Sequence, residues 1–183
     1  WGIKTLPAVQ ESTDSYRRFI IRDRDSVVRH WLRQGASGWR LDVADELPDD
    51  FIAEIRDAME QENPDSFLLG EVWEDGSNKV AYSQRRRYLL GSETHGLMNY
   101  PFRTAALDWL RGGDAACFRD TMETIREHYP RPAFYSALNI LGTHDTPRIL
   151  TLLGAEHVPD TKDARAAYHL SPEERQKGEA RLR

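Results

Sequence analysis

Nine residues, Gly38-Trp39-Arg40-Leu41-Asp42-Val43-Ala44-Asp45-Glu46, limit the fold more than any other stretch of the chain. Their alternation is that of a strand, with Trp39, Leu41 and Val43 on one face and Arg40 and Asp42 on the other. Gln34-Gly35 reads as the end of a helix before it, and the apolar run after Asp49-Asp50 as another helix behind it. A strand between two helices belongs to a parallel sheet, whose strands are normally covered on both faces. A wet polar face is the ordinary explanation for charges on a strand. On a covered face it fails, because an unpaired buried charge is very costly. Arg40 and Asp42, at the carboxyl end of a parallel strand, are therefore site candidates.

The rest of the chain repeats the pattern. Trp1 to Thr13 reads as loop, and Ser12-Thr13-Asp14 offers helix-capping chemistry. Tyr16, Phe19, Ile20, Val27, Val28, Trp31 and Leu32 recur at near-helical spacing, interrupted by Arg24 and ended by Gly35. Leu47-Pro48-Asp49-Asp50 starts a second helix, with Phe51, Ile52, Ile55, Ala58 and Met59 on one face and Asn63-Pro64 as its stop. Ser66 to Val72 is the second strand, ending in Gly70 and the lone carboxylate Glu71. Asn78 to Leu90 is ambiguous, and its Arg85-Arg86-Arg87 reads as a solvated face. His95 to Tyr100 suggests a third strand closed by Pro101. Phe102 to Leu110 and Asp114 to His128 read as helices parted by Gly112-Gly113. A fourth strand is expected over Phe134 to Leu141, followed by the polar run Gly142 to Arg148 and a helix from Ile149. Ser171-Pro172-Glu173-Glu174 is a capping-box start for the last helix. Strands alternating with helices, with polar residues gathered after the strands, make this an α/β chain with a parallel sheet.

Composition narrows the partners. The chain has 183 residues, 39% hydrophobic and 30% charged, enough for one sizeable core. A net charge of -5 argues against nucleic acid, and no apolar run is long enough to span a membrane. The single cysteine, Cys117, excludes an internal disulfide and a thiolate metal site; it is expected on the apolar side of a helix. So few cysteines point to the cytoplasm. The chain opens on Trp1 rather than Met.

Ligand chemistry in parallel sheets gathers at the carboxyl ends of the strands, in open sheets and barrels alike. Three carboxylates stand there: Asp42, Glu71 and Asp145. Two carboxylates across a glycosidic bond suffice to cleave it, one attacking the anomeric carbon and the other moving the proton. Arg40 beside Asp42 would keep that group ionised, whereas the apolar run Phe67-Leu68-Leu69 and Val72-Trp73 would hold Glu71 protonated. Asp145 beside His144 would hold sugar hydroxyls. Any one of these alone is more ordinarily a helix cap or surface charge, and Asp45 and Glu46 more ordinarily favour the following helix start. His144 alone would be an ordinary hydrogen-bonded histidine, and Trp73 suits core packing as well as sugar stacking.

The wording of the segments adds to this. Gly38-Trp39-Arg40-Leu41-Asp42 resembles the nucleophile segment of the α-amylase family of glycoside hydrolases, and Gly70-Glu71-Val72-Trp73 its acid/base segment. His144-Asp145-Thr146-Pro147-Arg148 is similar to the family's transition-state-stabilising segment. Glu71 follows Asp42 by 29 residues and Asp145 follows Glu71 by 74, as on strands four, five and seven of that family's barrel. Met98-Asn99-Tyr100-Pro101-Phe102 resembles the neopullulanase and cyclomaltodextrinase branch. The branch usually has Asn-Glu where this chain has Asp45-Glu46, and Leu6-Pro7-Ala8-Val9 matches its loop only loosely.

The resemblance implies a piece of a (β/α)8 barrel spanning 1–183, about strands four to seven, since a whole barrel takes eight strands and about 250 residues. It implies a retaining hydrolase of α-glucans such as maltodextrin, cyclodextrin or pullulan-like chains. Asp42 would be nucleophile, Glu71 general acid/base and Asp145 the stabiliser of the transition state. Arg40 and His144 would hold nucleophile and substrate, with Trp73, Asp45 and Glu46 towards the aglycone. No cofactor is implied, and calcium is not evident in these residues. The strands and pocket wall missing from such a piece would leave it inactive alone, and its unpaired sheet edges favour self-association. Two other readings share the resemblance: a transglycosylase, and a non-catalytic binding or assembly module, which usually loses the carboxylates retained here. An open-sheet nucleotide-binding protein is the outside rival, but no Gly-x-Gly-x-x-Gly or P-loop pattern follows any strand.

Overall fold

The computed structural model describes residues 4–5 and 7–183. Trp1, Gly2, Ile3 and Leu6, all within the stretch read as loop, lie outside the described residues, and Leu6 takes with it the start of the loosely matching loop.

The chain divides into two compact units, Trp1–Met98 with Tyr129–Ala137, and Asn99–His128 with Leu138–Arg183. In the first, helices α1 (Asp14–Arg17), α2 (Val27–Arg33) and α3 (Asp49–Glu62) accompany strands β1 (Gly38–Leu41), β2 (Phe67–Gly70) and β5 (Gly96–Asn99). β1 pairs in parallel with β2, and β2 with β5. Gly38 lies against Phe67, so close that a Cβ would sit 1.9 Å from the Phe67 carbonyl oxygen; only glycine fits. The core is Ile21, Val28 and Leu32 against the α3 face Phe51, Ile52, Ile55 and Met59, with Leu68 beneath. Every residue expected on the apolar face of α3 is buried. Between β2 and β5 lies a small hairpin, β3 (Val80–Ala81) against β4 (Gln84–Arg85).

The second unit holds α4 (Tyr100–Leu110), α5 (Ala115–His128), α7 (Ile149–Gly154), α8 (Lys162–Ala167), α9 (Pro172–Leu182) and the two-residue strand β6 (Leu138–Asn139). Its firmest packing is α7 on α9, where a Cβ on Gly154 would come within 2.2 Å of the Glu174 carbonyl. α9 opens with the expected capping box, Ser171 and Glu174 bonding each other's backbone N–H.

Several expectations need correcting. The helix foreseen from Tyr16 to Leu32 is broken: α1 widens into a π-turn at Arg18–Arg22, and the chain turns at Asp23 to Ser26 before α2. The Ser26 hydroxyl, buried, donates to the Ile21 carbonyl and holds that break where Arg24 interrupts the stripe. β1 ends at Leu41, and all four of its residues are half-buried rather than covered on both faces. Phe134 to Leu141 is mostly not strand; Pro132 near its start seeds α6 (Arg131–Tyr135), leaving only β6 extended. Pro101 begins α4 rather than merely closing a strand, with the Asn99 side chain capping Phe102. Cys117 is exposed, on the wet side of α5.

Candidate active site

β1 and β2 are in register, with Leu41 opposite Gly70. The next residue on each strand is therefore Asp42 and Glu71, so the ladder itself sets these two carboxylates side by side. Arg40 joins them. Its guanidinium bonds Asp42 Oδ1 through one nitrogen and Glu71 Oε2 through another, the latter at 2.8 Å. The two acids differ in setting: the Asp42 side chain is 71% exposed and that of Glu71 only 2%.

Val43 completes the corner. Its backbone is left-handed, with φ 43°, an uncommon and costly conformation for a β-branched residue. The turn points the Val43 N–H at Glu71 Oε2, 2.9 Å away. The Ala44 N–H donates to the Glu71 carbonyl and the Glu71 N–H to the Leu41 carbonyl, so the corner is fastened on both chains. Two expectations fall here. Val43 does not extend the apolar strand face, because the chain has already turned. The setting of Glu71 is buried but not apolar, since a guanidinium and a backbone N–H both donate to it.

Asp45 and Glu46, read as residues near the aglycone, are held by the hairpin. Asp45 accepts from the Tyr88 hydroxyl at 2.6 Å and from Lys79 at 3.1 Å. Burial and the hydrogen bond to Asp45 both push the Tyr88 hydroxyl well above its ordinary range. Burial pulls Lys79 down, but its hydrogen bonds to Glu74 and Asp45 outweigh that and leave it raised. Glu46 accepts from the Tyr82 hydroxyl. Trp73 is 45% exposed, so it is no core residue.

Sequence reasoning missed Arg86. The triple arginine was read as a solvated face, yet Arg86 is buried. It pairs with Asp49 at 2.5 Å, donates to the carbonyls of Asp45 and Leu47 at 2.8 and 2.5 Å, and lies over the Tyr88 ring. A buried arginine needs this many acceptors, and the turn after Asp42 supplies them as orphan carbonyls. No local pattern marks which of three adjacent arginines does this.

In the second unit, His144 and Asp145 lie on the loop before α7. His144 Nε2 sits 3.1 Å from Asp145 Oδ2, with both side chains at least half exposed. Thr143 and Thr146 brace the turn through mutual backbone and hydroxyl bonds. Among the described residues no cluster of three or more metal-ligating side chains occurs, and no helix is long and apolar enough to cross a membrane.

The model of the α-amylase catalytic domain matches residues 3–173. Among curated relatives, an amylopullulanase from Thermoanaerobacterium saccharolyticum is 34% identical over 93% of the chain and 14% of its own length. A cyclomaltodextrinase from a Bacillus species is 39% identical over 80% of the chain and 24% of its own. Among solved structures, the cyclic α-maltosyl-(1→6)-maltose hydrolase of Arthrobacter globiformis in complex with maltose superposes with a TM-score of 0.62. It is 32% identical across 69% of this chain and 27% of that one. The chain thus spans about a quarter or less of the curated relatives' length, and its parallel sheet is part of a (β/α)8 barrel. A match running across nearly all of the chain leaves one assignment: it belongs to the α-amylase family of glycoside hydrolases.

Proposed function

We propose that the chain carries the reacting carboxylates of a longer barrel enzyme, a retaining hydrolase of α-glucans. The observation that supports it most is the shared guanidinium of Arg40 between Asp42 and Glu71 at the ends of adjacent parallel strands. The solved relative that binds maltose makes an α-glucan the natural ligand class.

Asp42 attacks the anomeric carbon while Glu71 gives its proton to the departing glycosidic oxygen, leaving a glycosyl ester on Asp42. Glu71 then takes a proton from water, the water oxygen bonds to the anomeric carbon, and the Asp42 carboxylate is released. Direct attack calls for carboxyl groups about 5–5.5 Å apart in the intact site. One arginine holding both acids suits that short separation. Asp145 is the third carboxylate, stabilising the positive charge that develops on the sugar, with His144 oriented beside it. Arg40 positions both acids. Catalysis depends on groups held in place beforehand, and the 183-residue chain supplies only part of the barrel wall. Alone, it hydrolyses maltodextrin far more slowly than the longer enzyme, and its open sheet edges favour association.

The stereochemistry of the first product tests the reading. Proton NMR of the longer enzyme acting on an α-linked maltodextrin is expected to register the α-anomer before mutarotation. The β-anomer first would mean inversion and would remove the nucleophile role from Asp42.

A further inference from the structure

The turn joining β3 to β4 is Tyr82-Ser83, and both residues have positive φ, 52° and 62°. That two-residue geometry ordinarily selects asparagine or glycine. A bulky aromatic there is strained and persists only when the surroundings hold it. They do. The Arg86 N–H donates to the Lys79 carbonyl across the hairpin, Lys79 is tied to Asp45 and Glu74, and Arg86 is buried among the carbonyls after Asp42. The hairpin is therefore stapled to the loop that leaves the Asp42 corner.

On this fastened base the Tyr82 ring is 72% exposed. Its hydroxyl donates to Glu46, four residues beyond Asp42. Ring and carboxylate line one open groove of about 730 Å³, shared with Leu47, Asp50, Gln84 and Arg85. A pyranose offers an apolar face of C–H groups edged by hydroxyls. An exposed aromatic face with a carboxylate at its rim, in a groove with further polar groups, matches that pattern.

We propose that Tyr82 is a stacking platform for a glucose residue of the substrate chain, with Glu46 beside it accepting from sugar hydroxyls. This rests on the α-glucan reading above and adds a residue that determines chain-length preference. The opposing idea is that Tyr82 merely ties down Glu46.

Isothermal titration of maltoheptaose and of maltose into the longer protein, with Asp42→Asn in every variant to preserve the ligand, separates the two. Tyr82→Ala is expected to weaken maltoheptaose binding about tenfold, the scale of one aromatic contact. Maltose held at the reacting carboxylates is expected to lose much less, because the groove's lining includes none of Arg40, Asp42 and Glu71. Tyr82→Trp restores the affinity and Tyr82→Phe stays within about threefold, because stacking and not the hydroxyl carries the effect. Unchanged maltoheptaose affinity in Tyr82→Ala overturns the inference. So does an equal loss for both sugars, or a loss that Tyr82→Trp leaves in place. If the parent protein binds no maltodextrin at all, the α-glucan reading itself fails, and this inference with it.

Discussion

The corner at Asp42 and Glu71 and the loop at His144 and Asp145 carry the same kind of residue and are built in opposite ways. In the first, the ladder between β1 and β2 fixes both backbones, a left-handed Val43 aims an N–H inward, and one guanidinium spans the acids. In the second, the side chains stand in solvent and bond mainly to each other and to a threonine-braced turn. The first region is held by contacts that the described residues supply among themselves, though many of them lie far apart in sequence. The second depends for any precision on what closes over it. In a barrel whose wall is continuous, that closure comes from neighbouring loops.

Substitutions that break the corner should therefore cost far more folding stability than those in the loop. Arg86→Met removes the buried partner of Asp49 and leaves three carbonyls with one donor fewer. It is expected to destabilise by about 3–5 kcal/mol in urea unfolding, the range for breaking a buried pair. Arg40→Met leaves the Glu71 carboxylate buried with one donor fewer, but Arg40 is itself part exposed. A loss of about 2–3 kcal/mol is expected, smaller because water reaches the guanidinium. If either change costs under about 0.5 kcal/mol, the claim that the corner is self-assembled is wrong.

Acidity sharpens the contrast next. Glu93 is fully buried near Arg86 and Arg87, and burial, with Asp49 nearby, pushes its carboxyl up to about 7. Its folded-state value lies above the ordinary 4.5, so the folded chain holds a proton that the unfolded chain gives up. The resulting stability is fully present below about pH 4.5 and is lost as pH rises through about 7. Thermal unfolding across that window should show the decline, and Glu93→Gln should flatten it. The smallest effect belongs to the loop: His144→Ala should change stability by less than about 0.5 kcal/mol, as surface substitutions usually do. A larger loss would mean that the loop is as self-supporting as the corner.

The same division governs what could be read from the sequence. α3, the capping box of α9 and the existence of the strands that carry Asp42 and Glu71 follow from local periodicity and stop signals, so they were legible; where those strands end, at Leu41 and Gly70, was not. The break between α1 and α2 was half-legible, because Arg24 interrupts the stripe but nothing local says that Ser26 will bond the Ile21 carbonyl. The burial of Arg86 was not legible. Its acceptors lie some forty residues back along the chain, and no short pattern separates it from Arg85 and Arg87. Tyr82 was hidden for a related reason: its turn lacks the glycine or asparagine that marks a hairpin. The donors to Glu71 were hidden too, since a left-handed valine is not a conformation that sequence invites. Tertiary contacts at long separation decide the settings of Arg86, Tyr82 and Glu71, whereas the Ser26 bond is local but leaves no mark in the periodicity.

The central claim is that Asp42 attacks the sugar while Glu71, joined to it through Arg40, moves the proton. The most direct measurement is mass spectrometry of the longer enzyme after brief reaction with α-maltosyl fluoride in a Glu71→Gln background, where fluoride leaves without an acid but hydrolysis of the glycosyl-enzyme lacks its base. The account predicts one added glycosyl group on the peptide containing Asp42, absent once Asp42→Ala is added to that background. An adduct on any other residue, or one that survives Asp42→Ala, would contradict it.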